Sequence, residues 1–212
     1  MLQERVFPIP STDRLFNQYH DRHDGLDLPD AQRIRRNNLK AYLNAYDILP
    51  DIFLLAEAPG PWGCRFSGVP ITSEAQLLDV GFPFEGVRSS LAGDPHDEYC
   101  ARIHWRILQP HFPHFLTWNA VPFHPHKEDV LTIRTPTHHE IDAFAGVVEC
   151  FLDVIGPSFI VAVGRKAERT LNRIGVDNIY VRHPSQGGAK LFAKGVMKVL
   201  EEAGVPGSGC ND

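Results

Sequence analysis

The sequence predicts an α/β protein, a three-layer α/β/α sandwich around a central, mostly parallel four-stranded sheet. Four short runs are almost continuously apolar, as is typical of parallel strands covered on both faces. These runs occupy residues 51–56, 115–121, 158–163 and 178–181. Stretches with helical periodicity separate the runs, so strands and helices alternate. The predicted helices cover roughly residues 97–109, 137–155, 165–174 and 188–203.

Before the first strand, the segment "PDAQRIRRNNLKAYLNAYDIL" predicts a helix around residues 31–49, because its apolar residues recur on one helical face. Its basic residues Arg33, Arg35 and Arg36 indicate a solvated face rather than a DNA contact. The length of 212 residues suits one domain, which we expect to cover residues 1–205. Residues 206–212 are expected to form a flexible tail.

Composition and charge narrow the class of protein. The net charge of −5 argues against a broadly basic nucleic-acid coat, although a local basic groove remains compatible with it. The four cysteines are scattered and lack the spacing of a zinc or iron–sulfur site. No apolar run approaches the roughly 20 residues of a membrane helix, and the first residues lack a signal-like apolar core. We therefore expect a soluble, cytoplasmic monomer without membrane contact.

Polar segments rich in glycine and proline follow each predicted strand. They read "EAPGPWG", "PFHPHK", "GRKAER" and "RHPSQGG". The carboxyl ends of parallel strands meet at one edge of a sheet, and ligands bind at that edge in open α/β folds. The sequence therefore predicts a cleft built from all four segments.

Two candidate polar side chains stand at the ends of the first two strands. Glu57 precedes Pro59 and Gly60, which force a tight turn and allow close approach of a ligand. Its carboxylate could orient water or substrate, or could simply cap a surface turn. The amide of Asn119 offers donors and an acceptor, which could read a nucleobase edge or support its loop as an Asx turn.

The last two segments contribute further candidates. A neutral His183 could stabilise a developing anion, and Ser185 with the glycines after it could bind phosphate. The alternative is a histidine that bonds to a loop carbonyl. Gly164 places Arg165 and Lys166 at a helix N-terminus, which is a natural anion site. The alternative there is close packing at the glycine beside two solvated charges.

The histidine-rich segments "HFPHF", "FHPH" and "THHE" raise the question of a metal site. None of them shows a motif with fixed metal-ligand spacing, such as H-E-x-x-H. We therefore expect no bound metal, and a metal-dependent hydrolase stays as an alternative hypothesis.

Three motifs, "AEAPGPWGCRFSG", "TWNAVPFHPH" and "VRHPSQGG", together resemble the uracil-DNA glycosylase superfamily over roughly residues 51–195. The resemblance is to the type with "GEAPG" and "HPS" motifs, without the four clustered cysteines of its iron–sulfur families. It implies an enzyme that flips uracil or a related deaminated base out of DNA and hydrolyses the N-glycosidic bond, starting base excision repair without a cofactor. A non-catalytic protein of the same fold that binds a nucleobase or nucleic acid is the alternative.

The resemblance also implies roles for individual residues. Phe66 would stack on the base, and Asn119 would hydrogen-bond to the uracil edge. His183 would donate to uracil O2, and Glu57 would orient water or support the sugar cation. Gly60 would face the base where the best-known family has a tyrosine that screens out thymine.

Further residues would contact the DNA outside the base pocket. This predicted set comprises Arg165, Lys166, Ser185, Gln186, Gly187 and Lys190. Gln186 or a neighbour would fill the gap that the flipped base leaves. Ala58 stands where the best-known family has a water-activating aspartate, so the resemblance leaves open whether Glu57 acts as a base. The expected partner is DNA that contains uracil or a deaminated base.

Overall fold

The structure is a computed structural model that describes residues 1–206, so the predicted tail lies almost wholly outside it. Its strands are β1 (Leu15–Phe16), β2 (Ile52–Ala56), β3 (Phe115–Asn119), β4 (His124–Pro125), β5 (Phe159–Val163) and β6 (Ile179–Val181). Its helices are α1 (Leu2–Arg5), α2 (Ala31–Asn44), α3 (Cys64–Ser67), α4 (Glu74–Leu77), α5 (Tyr99–Leu108), α6 (His138–Ile155), α7 (Arg165–Arg173) and α8 (Ala189–Glu202). A short 3-10 helix, Gln109–His111, follows α5.

The predicted fold class is confirmed. Four strands form a sheet in the order β3-β2-β5-β6, and each neighbouring pair is parallel. The sequence analysis did not predict β1 and β4, which pair as a separate antiparallel ribbon of two residues per strand.

Helices cover both faces of the sheet because successive side chains of a strand point to opposite sides. On one face, the rings of Phe53 and Trp118 lie 6.3 and 4.4 Å from the ring of Phe151 in α6. On the other face, Leu54 and Val199 of α8 line the same small apolar cavity. All five residues of β2 are buried, which explains the continuous apolar run in the sequence.

The helix predicted around residues 31–49 is shorter in the structure than the sequence analysis expected. Helix α2 ends at Asn44, five residues before the predicted end. Ile48 and Leu49, which lie within the predicted helix, are 46% and 67% exposed, so little apolar burial would stabilise another helical turn there. Pro50 follows directly and disfavours helical geometry at the residue before it.

The sequence analysis expected the basic residues of α2 to share one solvated face, and the structure shows that they do not. Arg33 is exposed, but Arg35 is fully buried with its Nη2 2.5 Å from Asp27 Oδ1. Arg65 Nη1 also lies 2.5 Å from that oxygen. Burial opposes ionisation of Asp27, but the two guanidinium groups outweigh it and lower the pKa of Asp27. The Asp27 triad (Asp27, Arg35 and Arg65) thus ties α3 to the N-terminal segment.

The strand order creates a crevice at the carboxyl edge of the sheet. The chain passes from β2 to β3 on one side and from β5 to β6 on the other, so the connections diverge between β2 and β5. Such a switch point is where open α/β sheets bind ligands. Ala56 pairs with Asn119, and Val121 N donates to Glu57 O at 3.0 Å, so the ends of β2 and β3 stay aligned.

Candidate active site

Glu57 lies directly after β2 at the switch point. Its side chain is 29% exposed, and its Oε1 lies 3.0 Å from Lys166 Nζ. The same ammonium donates to Thr135 Oγ1 at 2.5 Å. Burial raises the pKa of Glu57, and Lys166 acts in the opposite direction. Lys166 therefore neutralises the candidate catalytic carboxylate, and its predicted contact with DNA stays a prediction.

His183 is held in a defined tautomer by the residue two positions later. The backbone N–H of Ser185 donates to His183 Nδ1 at 3.2 Å, and Ser185 Oγ lies 2.8 Å from the same nitrogen. Because Nδ1 accepts, the neutral ring carries its proton on Nε2. Burial, together with the charges of Arg182 and Lys166, lowers the pKa of His183 to about 4. At neutral pH the ring is an uncharged donor.

Two glycines allow the backbone to approach His183 closely. Gly164 has φ +89°, and a Cβ there would lie 3.1 Å from His183 Cβ. A Cβ on Gly188 would overlap the carbonyl oxygen of His183. These positions are glycine because side chains would displace the histidine.

Asn119 is buried at the end of β3. Its Nδ2 lies 3.8 Å from Cys64 Sγ, and within residues 1–206 its Oδ1 has no hydrogen-bond partner. Buried side-chain polar atoms in folded proteins nearly always have one. Because the amide makes no hydrogen bond to the loop, the Asx-turn interpretation has no support, and the geometry suits a group that binds a ligand.

Gln18 is a second buried amide, and sequence reasoning missed it. Its Nε2 donates to Pro122 O at 2.8 Å and lies 3.8 Å from Cys64 Sγ. In the described part of the chain its Oε1 also lacks a partner. The amides of Gln18 and Asn119 therefore converge on one thiol. No motif or periodicity around Gln18 predicts this contact.

Phe66, the predicted stacking residue, is fully buried. Its ring centroid lies 4.1 Å from Arg65 Cζ and 4.0 Å from the ring of His96. Trp62 is 42% exposed and its ring lies 5.3 Å from that of His96. Stacking of a base on Phe66 stays a prediction, and it requires His96 to move off the ring.

Gly60, the predicted base-facing glycine, lies against a carboxyl group that the sequence analysis did not single out. A Cβ on Gly60 or on Gly63 would overlap the carboxyl group of Glu98. Burial, with a further contribution from Asp97, raises the pKa of Glu98 to about 7. The space left by the two glycines is therefore occupied by an acidic side chain.

The remaining predicted DNA contacts lie along the rim of the crevice. Arg165 is exposed and its Nη1 pairs with Glu168 Oε2 at 2.9 Å. Gln186 and Gly187 are exposed at the tip of the loop after β6, with φ +51° and +75°. Lys190 is exposed in the first turn of α8. Their contacts with DNA stay predictions.

The histidines of two of these segments have structural surroundings in the described residues: His124 supports a loop, and His138 and His139 begin helix α6. The ring of His124 is buried between Pro59 O, 2.8 Å from Nδ1, and Val130 O, 2.9 Å from Nε2. Across residues 1–206, no group of three or more His, Cys, Asp or Glu side chains is arranged to hold a metal ion. Over the same residues, no helix is long and apolar enough to cross a membrane.

Comparisons with known proteins agree with this geometry. A family model described as "Uracil DNA glycosylase superfamily" matches residues 43–201. A solved structure described as "The crystal structure of WT Pedobacter heparinus SMUG2" is similar in fold, with a TM-score of 0.59 and 13% sequence identity. The similarity covers 95% of this chain and 97% of that chain. No curated protein sequence matches.

Proposed function

The chain belongs to the uracil DNA glycosylase superfamily, and from this premise we propose that it releases uracil or a related deaminated base from DNA. The observation that carries the proposal is the buried amide of Asn119, whose Oδ1 has no partner within residues 1–206. An amide can accept from N3–H of uracil and donate to O4. Cytosine reverses both groups, and such a mismatch lowers the rate by about 10⁴-fold.

His183 supports a role in breaking the glycosidic bond. Negative charge builds on O2 of the departing base, and the Nε2–H of a neutral His183 can donate to it. A donor placed in this way lowers the barrier by about 3–4 kcal/mol. The lowered pKa, about 4, keeps the ring uncharged across the physiological range.

Glu57 would act on the sugar. As the bond to the base breaks, the sugar gains positive charge, which a carboxylate can stabilise while it orients water. Lys166 Nζ lies 3.0 Å from Glu57 Oε1 and favours the carboxylate, which opposes the rise in the pKa of Glu57 that burial causes. The hydroxide part of water then adds to C1′, and the base leaves with the bonding electron pair and takes up the remaining proton. The products are an abasic site and a free base.

The test is a single-turnover assay of uracil release from U·G, U·A and single-stranded oligonucleotides, with chelator present. We expect free uracil from at least one substrate. No release with excess protein would contradict the proposal. Activity that chelator abolishes and zinc restores would favour a metal-dependent hydrolase instead.

The net charge of −5 and Ala58, at the place of a water-activating aspartate, favour a second candidate function. In this alternative the protein binds a nucleobase or nucleic acid without hydrolysing it. Tight binding of uracil-containing DNA without release of uracil would support the alternative.

A further inference from the structure

Resting on the proposed function, we propose that His124 is a positioning residue for the reaction. Its single ring proton lies on Nδ1 and donates to Pro59 O, which holds the turn that carries Glu57. Nε2 then presents a lone pair to Val130 O, so the ring does not hold the segment 126–132. His124 acts on the reaction through the backbone of the turn.

The buried ring of His124 faces two acceptors with one proton. Its Nδ1 lies 2.8 Å from Pro59 O, and its Nε2 lies 2.9 Å from Val130 O. A carbonyl oxygen can only accept, and a neutral imidazole has one N–H. Burial lowers the pKa of His124 to about 4, although both carbonyl oxygens act in the opposite direction. At neutral pH the ring is therefore uncharged, and one of the two oxygens has no donor.

The turn at Pro59 needs the proton of His124 because it has few donors of its own. Pro59 and Pro61 lack an N–H, and within residues 1–206 Pro59 O accepts from no other donor. Two residues earlier, Glu57 O accepts from Val121 N at 3.0 Å. Val121 and His124 belong to the same connection between β3 and β4. This connection therefore holds the turn at two points, of which His124 supplies the second.

The segment 126–132, by contrast, is held by hydrogen bonds of its own. Thr132 N donates to Asp129 O at 3.0 Å, and Lys127 N donates to Thr132 Oγ1 at 3.0 Å. In the described part of the chain Val130 O also has no donor besides the histidine. A buried carbonyl oxygen without a donor is costly in either loop. Only at the proline turn, however, does the loss also remove one of the two points that hold the loop, so the proton stabilises more on Nδ1.

Two matched variants each keep one of the two donors. The amide nitrogen of His124→Asn falls close to the position of Nδ1, and that of His124→Gln falls close to the position of Nε2. We expect the single-turnover rate of uracil release to stay within about threefold of wild type in His124→Asn and to fall about tenfold or more in His124→Gln, because Glu57 shifts with the turn. Asn leaves the larger cavity, so a role in packing alone predicts the reverse order.

The control is His126→Gln. It removes the corresponding donor, since His126 Nδ1 lies 2.8 Å from Lys127 O, but this bond does not reach the turn at Pro59. We expect His126→Gln to keep the wild-type rate.

Two measurements without substrate separate this proposal from the proposed function. The ¹⁵N spectrum of the wild-type ring near neutral pH reports which nitrogen of His124 is protonated, and amide hydrogen exchange over residues 60–64 reports how firmly the turn is held. We expect a proton on Nδ1 alone, and exchange that rises in His124→Gln but not in His124→Asn.

If both expectations are met but no base is released, the positioning by His124 holds and the glycosylase activity fails. If bases are released and His124→Asn is slowed as much as His124→Gln, the positioning role is overturned. Exchange that rises equally in both variants, without release of any base, overturns both proposals. A proton on Nε2 of the wild-type ring, or on both nitrogens, overturns the assignment even if neither variant folds.

Discussion

Two groups of buried polar side chains meet at α3, and they differ in how completely they are paired. On one side, Asp27 is ion-paired with two arginines, and Glu74 accepts from Ser89 N at 2.7 Å and from Ser90 N at 2.9 Å. We call this group the paired network. On the other side, within residues 1–206, one oxygen each of Asn119 and Gln18 lacks a partner. We call this group, with Glu98, the open set.

The consecutive residues Cys64 and Arg65 separate these groups. Arg65 belongs to the paired network, whereas Cys64 contacts the amides of the open set. Within residues 1–206, Arg65 Nε also lacks a hydrogen-bond partner, but both arginines of the paired network are ion-paired with Asp27. Buried ion pairs can hold a loop in one shape, whereas a buried polar group without any partner destabilises the fold. From this difference we expect the first group to determine the shape of the loop and the second to bind the ligand. Variants on the two sides should therefore affect different properties.

The largest expected effect is on stability, from Asp27→Ala. Two guanidinium groups would stay buried without the carboxylate that they pair with, so we expect a loss of about 3–5 kcal/mol in the free energy of unfolding. Urea denaturation measures it. The matched variant Asn119→Ala should change stability by only about 1 kcal/mol while abolishing preference for uracil. Equal losses of stability in both variants would remove the distinction between the two groups.

The next effect is on catalysis, from His183→Ala. Without a donor to the departing base, we expect the single-turnover rate of uracil release to fall about 100-fold or more, with little change in DNA affinity. Ser185→Ala keeps the backbone N–H that fixes the tautomer, so its single-turnover rate should fall much less. A His183→Ala rate within about threefold of wild type would take this residue out of the chemistry.

A smaller effect separates two lysines of the crevice. Lys166→Met removes the partner of Glu57 and should lower the rate about tenfold, while DNA affinity keeps its salt dependence. Lys190→Met, at an exposed position, should instead reduce the slope of log affinity against log salt by about 1 and leave the rate under saturating protein unchanged. Titrations between low and moderate salt measure this slope. The reverse pattern would assign Lys166 to DNA binding.

The smallest effect is on the pH dependence of stability. Rising pH should increase the stability that Asp27 contributes and decrease the stability that Glu98 contributes. The lowered pKa of Asp27 stabilises the fold above the unfolded pKa, and this contribution is lost in acid. Glu98 keeps its proton up to about pH 7 in the folded state but ionises near 4.5 when unfolded. Its ionisation therefore destabilises the fold as the pH rises between these values.

Glu98→Gln cannot ionise, so its free energy of unfolding at pH 8 should exceed that of wild type by about 1 kcal/mol. The gain should vanish at pH 4, where wild-type Glu98 is protonated in both states. Urea denaturation at both pH values measures it, with the exposed Glu128→Gln as the control. An equal gain at pH 4 would mean that ionisation is not its source.

Sequence reasoning found the parts of the site that depend on strand ends. Glu57 and His183 follow predicted strands and Asn119 lies near the end of one, and parallel topology brings those strand ends to one edge of the sheet. Gln18 and His96 lie in segments without any periodic pattern, and Glu98 lies at the start of a predicted helix whose pattern does not show what its side chain contacts. Long-range contacts, such as the bond from Glu98 N to Ser73 Oγ, bring Glu98 to the site. Spacing in the sequence does not encode such contacts.

The partners of charged side chains also depend on long-range contacts that spacing in the sequence does not encode. The sequence placed Lys166 correctly at the start of a helix, but its contact with Glu57 depends on the adjacency of β2 and β5. Arg35 lies in a basic cluster that usually faces water, and its burial depends on Asp27, which sits in a loop eight positions earlier. Partners, rather than residue type, decided where these cations lie.

The Asp27 triad has a consequence for the smallest active portion of this protein. The family similarity begins at residue 43, yet Asp27, Arg35 and Gln18 all precede it. Tyr19 also precedes it and donates its hydroxyl to Gly68 O at 2.7 Å. A chain trimmed to begin at residue 43 would keep all three motifs but leave Arg65 without its carboxylate. The segment that matches the family model is therefore shorter than the segment that the pocket needs to keep its shape.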